Sequence, residues 1–177
     1  MSAHLHGIMA EFDEPEQILK AANAAYQNGY RKMEAYSPYE VHGLAEAIGF
    51  HKTRVPLVVL IGGICGGLTA YGMQWFSAVL HYPLNVGGRP LHSWPSFIPI
   101  TFELTVLFAS IFAVVGMLAM NGLPKPYHPV FNAPGFKLAS QTHFFLCIEA
   151  DDPKFREDEV RAFLLSQFPV SVTEVEL

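Results

Sequence analysis

Two long apolar runs occupy the middle of this 177-residue chain. Residues 55–80 contain no charged residue, and residues 98–120 contain one, Glu103. At about 1.5 Å per helical residue the runs reach about 39 and about 34 Å, enough to cross a hydrocarbon core of about 30 Å. Buried core helices are usually shorter. The sequence therefore predicts two transmembrane helices, at 55–80 and 98–120, joined by a periplasmic loop at 81–97.

The charges beside the two runs predict their orientation. Lys52 and Arg54 precede the first run and Lys125 follows the second, whereas the loop carries a single Lys or Arg, Arg89. Because loops on the cytoplasmic side carry the excess of basic residues, both termini are predicted to be cytoplasmic. Charged residues make up 15% of the chain, against about a quarter in a soluble domain, which agrees with a membrane protein.

The N-terminal part of the chain has a strand–helix–strand pattern. Residues 7–12 and 31–36 alternate between apolar and polar side chains, as strands do. Between them we predict a helix with Asp13 as its N-cap, Pro15 in its first turn and Gly29 just after its last residue.

The C-terminal part repeats that pattern. We predict an apolar strand at 143–150, a helix opened by Asp152 and Pro153, and a second strand at 170–177. One apolar stripe of this helix is predicted to contain Val160, Phe163, Leu164 and Phe168.

The two parts together predict an α+β membrane protein with a β-α-β plus β-α-β, ferredoxin-like cytoplasmic domain, since each half alone is too small to bury its apolar faces. Residues 1–50 would form the N-terminal half with a juxtamembrane segment, and residues 141–177 the C-terminal half. The transmembrane hairpin would lie between the second and third strands, followed by a Pro-rich cytoplasmic linker at 121–140.

Four glycines in the first run form two overlapping GxxxG spacings: Gly62, Gly63, Gly66 and Gly67. Residues four apart share one helix face, so these glycines allow another helix to approach closely. The spacing predicts helix packing, and it leaves open whether the partner is the second run or another subunit.

Glu103 is the one charged residue inside the apolar runs. One interpretation is a proton-path residue or a residue of a quinone-pocket interface between subunits; the other is a hydrogen bond that stabilises helix packing. No catalytic, cofactor-binding or metal-ligating set is predicted. Cys65 and Cys147 form no CxxC motif, and no histidine lies well inside either run. The net charge of −5 argues against nucleic-acid binding.

Long stretches of the chain resemble a known family. They are HGIMAEFDEPEQILKAA, GYRKMEAYSPYEVHGLAEA, LNVGGRPLHSWPSFIPITFELTVLF, NGLPKPYHPVFN and FFLCIEADDPKF. They are similar to the D subunit of alternative complex III, a bacterial quinol:electron-acceptor oxidoreductase. The resemblance implies a multi-pass subunit of the bacterial inner (cytoplasmic) membrane, in a respiratory or photosynthetic complex.

The resemblance also implies which subunits of the complex hold the cofactors and the quinol. Haem c, iron–sulfur clusters and quinol are expected in partner subunits: the multihaem cytochrome c subunit, the iron–sulfur subunit and the polytopic quinol-site subunits. This chain would be an accessory subunit without a cofactor of its own, supporting assembly and stability, and no activity is expected of it in isolation. An alternative of another class is a regulatory or ligand-sensing membrane protein, which would need a polar pocket in the soluble domain.

Overall fold

The computed structural model describes residues 5–177, so the first four residues of the predicted N-terminal half lie outside it. The described residues form two compact units. The first unit is formed by the described residues up to Lys52 together with Pro126–Leu177, and the second unit is Thr53–Lys125.

The first unit contains a four-stranded antiparallel sheet made of β1 (Leu5–Phe12), β2 (Met33–Tyr36), β3 (Phe144–Glu149) and β4 (Ser171–Glu176). The strand order is β2-β3-β1-β4. Strand β1 pairs with β3, with Ile8 opposite Ile148, and with β4, with Met9 opposite Thr173. The two ends of the chain therefore contribute adjacent strands to one sheet, and the α+β prediction is confirmed.

Both faces of this sheet are covered. On one face lie α1 (Pro15–Asn28), the short α2 (Leu44–Ala47) and α5 (Glu157–Leu165), packed over a core that includes Ile8, Phe12, Ile18, Leu146, Ile148 and Leu164. On the other face two 3₁₀ helices, Pro129–Asn132 and Phe136–Ser140, cover Met9, Phe145, Cys147 and Val175. Much of the segment predicted as a linker at 121–140 thus supplies core contacts.

The second unit is a helical hairpin. Helix α3 (Val55–Trp75) continues into a π-helical segment, Phe76–His81, and α4 spans Trp94–Met120. By length and composition both helices are able to cross a membrane, with mean hydropathies of 1.8 and 2.2. The core helix of a soluble protein would be mostly buried, whereas 17% and 0% of their most apolar segments are buried. Their apolar surface is therefore available to lipid or to other subunits.

Helix α4 begins four residues earlier than predicted. Its first turn contains Trp94 and Pro95, and proline is well accommodated there because its missing N–H would have no helical partner. Pro99 lies inside the helix without ending it.

The ends of α1 match the prediction in part. Pro15 is the first residue, and Gly29 follows the helix in the left-handed conformation with φ 93°, as predicted. The prediction for Asp13 is wrong: Glu14 occupies the N-cap position and makes no side-chain capping bond. The Asp13 carboxylate instead lies 2.9 Å from Nε2 of His143, beside the start of β3.

The predicted start of α5 is also wrong. The helix begins at Glu157, and the Asp152 carboxylate ties two loops together. It accepts backbone hydrogen bonds from Arg31 (2.6 Å), Lys32 (2.8 Å) and Lys154 (2.8 Å).

The prediction for Phe168 is wrong as well. This residue lies beyond the end of α5 with φ 57° and 88% of its surface exposed, so it does not belong to the buried stripe.

The Asp152 carboxylate predicts acid sensitivity of the first unit. Burial by itself would raise its pKa, but the backbone N–H groups of Lys32, Arg31 and Lys154 and the Arg31 charge lower the pKa below the usual 3.8. Because the folded pKa is the lower one, ionised Asp152 stabilises the fold at pH above about 4, and this is lost as the pH falls through the folded pKa. We expect the protection factors of amides in β2 and β3, which are corrected for the pH dependence of intrinsic exchange, to fall below about pH 4, and Asp152→Asn to flatten that dependence. The prediction would be contradicted if amide protection in β2 and β3 depended on pH in the same way in this variant and in the wild type.

Candidate functional site in the helical hairpin

The closest approach of α3 to α4 depends on three glycines. A Cβ atom at Gly62 would lie 2.5 Å from Cγ of Phe112, and one at Gly66 would overlap the carbonyl oxygen of Leu104. On α4, a Cβ at Gly116 would lie 2.7 Å from Cγ1 of Val58. Van der Waals packing is a main source of helix association in lipid, so these contacts explain why glycine is needed at these three positions.

The other two glycines of the GxxxG pair border an open groove. A Cβ at Gly63 would make ordinary contacts, the nearest at 3.7 Å from Cγ2 of Thr105, and one at Gly67 would lie 3.0 Å from Oγ1 of Thr105. The groove has a volume of about 570 Å³ and is lined almost entirely by apolar atoms of α3 together with Thr105 and Ala109. The hairpin itself therefore occupies one glycine face and leaves the neighbouring one uncovered.

Gln74 links the two helices through its side-chain amide. Its Nε2 atom lies within hydrogen-bond distance of three oxygens: the Ala70 carbonyl at 3.1 Å, the Phe97 carbonyl at 3.2 Å and the Thr101 hydroxyl at 3.3 Å. Such polar contacts between helices contribute about 0.6 kcal/mol on average in a membrane. Gln74 therefore stabilises the hairpin near the connecting loop.

A second polar contact lies at the same end of the hairpin. The Tyr71 hydroxyl lies 2.7 Å from Nε2 of His92, and both rings pack near the Phe97 ring. Tyr71 also lines a small cavity of about 250 Å³ with Trp94 and Ile98. Aromatic rings with a polar tip are favoured at membrane–water interfaces, so this end has the chemistry of an interface.

Glu103 lies on the side of α4 opposite to α3. At about 100° per residue, it is about 180° around the helix from Phe112, which packs against Gly62. Its side chain is exposed. A hydrogen bond from Glu103 to α3 therefore does not hold the hairpin together, and both interpretations of this residue require a group from outside the hairpin.

The remaining candidate ligands are dispersed. Cys65 is exposed and Cys147 is buried in the first unit. Burial, with the negative charges of Glu149 and Glu34, raises the pKa of the Cys147 thiol to about 12, so it stays protonated at neutral pH. Within residues 5–177, no three His, Cys, Asp or Glu residues are grouped so that they could hold a metal ion.

Sequence reasoning missed the two polar contacts of the hairpin. Gln74 carried a detectable signal, because it is an amide in a run without charges. The contact between Tyr71 and His92 carried none, since 21 positions separate them and their approach depends on how the loop folds.

Comparison with known proteins gives one positive result. No curated protein matches the chain significantly. A protein-family model described as "Alternative complex III, ActD subunit" matches residues 6–174, which is nearly the whole chain. This match covers both helices of the hairpin and all but the outermost residues of the sheet in the first unit. The chain therefore belongs to the family of ActD subunits of alternative complex III.

Proposed function

We propose that this chain is an accessory membrane subunit of alternative complex III, that it holds no cofactor, and that it supports assembly and stability of the complex. The observation that carries the proposal is the exposed apolar surface of the hairpin, together with the uncovered groove at Gly63 and Gly67. An apolar surface with closely approachable backbone is the kind that transmembrane helices of other subunits pack against. The family match names the complex to which those other subunits would belong, alternative complex III.

The proposed topology is a ferredoxin-like cytoplasmic domain interrupted by a transmembrane hairpin. The strand order β2-β3-β1-β4 and the helices after β1 and near β4 support the ferredoxin-like arrangement. The hairpin segment lies between β2 and β3 along the chain, so both of its ends would be on one side of the membrane. The flanking residues Lys52, Arg54 and Lys125 support a cytoplasmic location for that side, in the bacterial inner membrane.

The partners in this proposal are the cofactor-bearing subunits. Polytopic subunits would hold quinol, and the iron–sulfur and multihaem cytochrome c subunits would carry the electrons. Two alternatives stay open. Glu103 would contribute to a proton path or to a quinone-site interface, in which case its loss lowers turnover without changing the amount of complex. In the second alternative, the chain is a regulatory or ligand-sensing membrane protein.

Mild purification from native membranes tests the proposal. A tag on this chain should recover polytopic, iron–sulfur and multihaem cytochrome c subunits in constant ratio. In membranes from a strain without the chain, the amount of assembled complex should fall, while the turnover of each complex that does assemble stays near wild type.

The contrary outcomes separate the alternatives. A chain that purifies alone would contradict the proposal and favour the regulatory protein. A normal amount of complex with low turnover in the deletion strain would favour a direct part in quinol oxidation or proton transfer.

A further inference from the structure

Glu103 lies deep within α4. The helix contains 27 residues, Trp94–Met120. Glu103 is nine residues from its first residue, or about 14 Å along the axis, and four residues from its midpoint, or about 6 Å. With α4 centred on a hydrocarbon core of about 30 Å, Glu103 would lie about 9 Å inside the nearer boundary of the core, which is farther than a glutamate side chain extends. A charged group at this depth is costly unless it is paired.

The hairpin does not supply that pair. Three other polar side chains of α4 have partners of their own: Thr101 with Gln74, Thr105 with the Thr101 carbonyl, and Ser110 with the Val106 carbonyl. The first two lie on the side towards α3, and Ser110 is two turns away from Glu103 on its own side. The Glu103 carboxyl group is thus exposed on an otherwise mostly apolar surface.

We propose that the side of α4 formed by Pro99, Glu103, Val106 and Ser110, here named the Glu103 face, is the docking surface for a transmembrane helix of another subunit. That helix presents a basic side chain to the Glu103 carboxylate. The inference rests on the proposed membrane location and complex membership, and it adds the surface and the chemistry of its partner.

Charge complementarity selects this occupant over lipid. Acyl chains would cover Val106 well but offer nothing to a carboxylate. A basic side chain from a neighbouring helix provides both an opposite charge and hydrogen-bond donors, and ionisable groups inside membranes are usually paired in this way. A second copy of this chain is disfavoured, because its Glu103 face would bring two carboxylates together.

Photo-cross-linking in the intact complex tests the surface. A photoreactive amino acid is placed at Val106 or at Ser110, one and two turns from Glu103, and the complex is irradiated in native membranes. We expect cross-links to one transmembrane helix of another subunit, with an Arg, Lys or His about one turn from the residue cross-linked from Val106 and about two turns from the residue cross-linked from Ser110. Cross-links to lipid alone, or to a helix without a basic residue there, would overturn the proposal.

A charge exchange tests the pairing itself. Glu103→Lys should lower recovery of the tagged complex by about tenfold or more, because it places two cations together. Changing the mapped basic residue of the partner to Glu in the same strain should restore recovery. Ser110→Lys, on the same face, is the matched control, and the partner change should not rescue it. Normal recovery of the Glu103→Lys complex, or equal rescue of both variants, would overturn the pairing.

These outcomes are distinguishable from failure of the proposed function. If the wild-type chain recovers no other subunit, the proposed function itself is wrong. If it recovers them and the Glu103 face cross-links only to lipid, the proposed function stands and this inference alone falls.

Discussion

Replacing Gly66 with leucine is expected to separate α3 from α4 and to lower the amount of assembled complex in the membrane. At Gly66 even a Cβ atom would overlap the Leu104 carbonyl oxygen and would lie 2.8 Å from Cβ of Phe108. The first obstacle is backbone of α4, which cannot move aside as the end of a flexible side chain can. Overpacking typically costs 1–3 kcal/mol, and we expect the upper end, about 3 kcal/mol, for leucine here.

Gly72→Leu is the matched control for this prediction. It introduces the same side chain into the same helix, but a Cβ at Gly72 would meet nothing within 4 Å. The readouts are the amount of tagged complex recovered from membranes and its thermal stability after purification. We expect Gly66→Leu to reduce both and Gly72→Leu to leave them close to wild type. Equal effects of the two changes would show that close packing at Gly66 does not stabilise the hairpin.

The glycines also show where sequence reasoning ends. Their spacing predicted helix packing, and the same spacing describes Gly62 with Gly66 and Gly63 with Gly67. Only the rotation of α3 against α4 separates them, and it depends on side chains of α4 such as Phe108 and Phe112. A periodicity within one helix contains no information about that rotation. The sequence therefore could not show which of the two glycine pairs packs against α4.

The fold followed from patterns with strong local signals. Two apolar runs, a proline at the start of α1 and a glycine after it are read within one stretch of sequence. The ends of the elements were less predictable. Helix α4 begins at Trp94 with Pro95 in its first turn, where proline is well accommodated, whereas the prediction began the helix at Ile98, with the apolar run.

Asp152 shows the opposite case, in which a local pattern gave the wrong role. An aspartate followed by proline is typical of a helix start. The Asp152 carboxylate instead accepts hydrogen bonds from Arg31 and Lys32, which lie 121 and 120 positions away in the sequence. Those contacts exist only because β2 and β3 are adjacent in the sheet. Asp152 therefore links the two halves of the first unit, although its local sequence predicts that it caps a helix.

Replacing Asp152 with alanine is expected to loosen β2 from the rest of the first unit. The change removes the acceptor of three backbone N–H groups, from Arg31, Lys32 and Lys154, at a residue that is 5% exposed. Leaving buried donors without an acceptor costs about 1–3 kcal/mol each, and water will reach some of them, so we expect a total loss of about 3 kcal/mol. Hydrogen exchange of the full chain in detergent measures it, as faster exchange in β2 and β3 with α3 unchanged.

The neighbouring aspartate provides the control that separates a charge effect from a hydrogen-bond effect. The Asp151 side chain is 84% exposed, and its ion pair with Lys32 spans 3.7 Å. Exposed pairs of this kind contribute at most about 1 kcal/mol, so Asp151→Ala should leave exchange in β2 nearly unchanged although it removes the same charge. If the two alanine variants exchanged alike, the three backbone hydrogen bonds would not be what ties β2 to β3. If only Asp152→Ala accelerated exchange, the attachment of β2 to β3 would depend strongly on one buried carboxylate, because β2 is a four-residue strand at the edge of the sheet formed by the described residues.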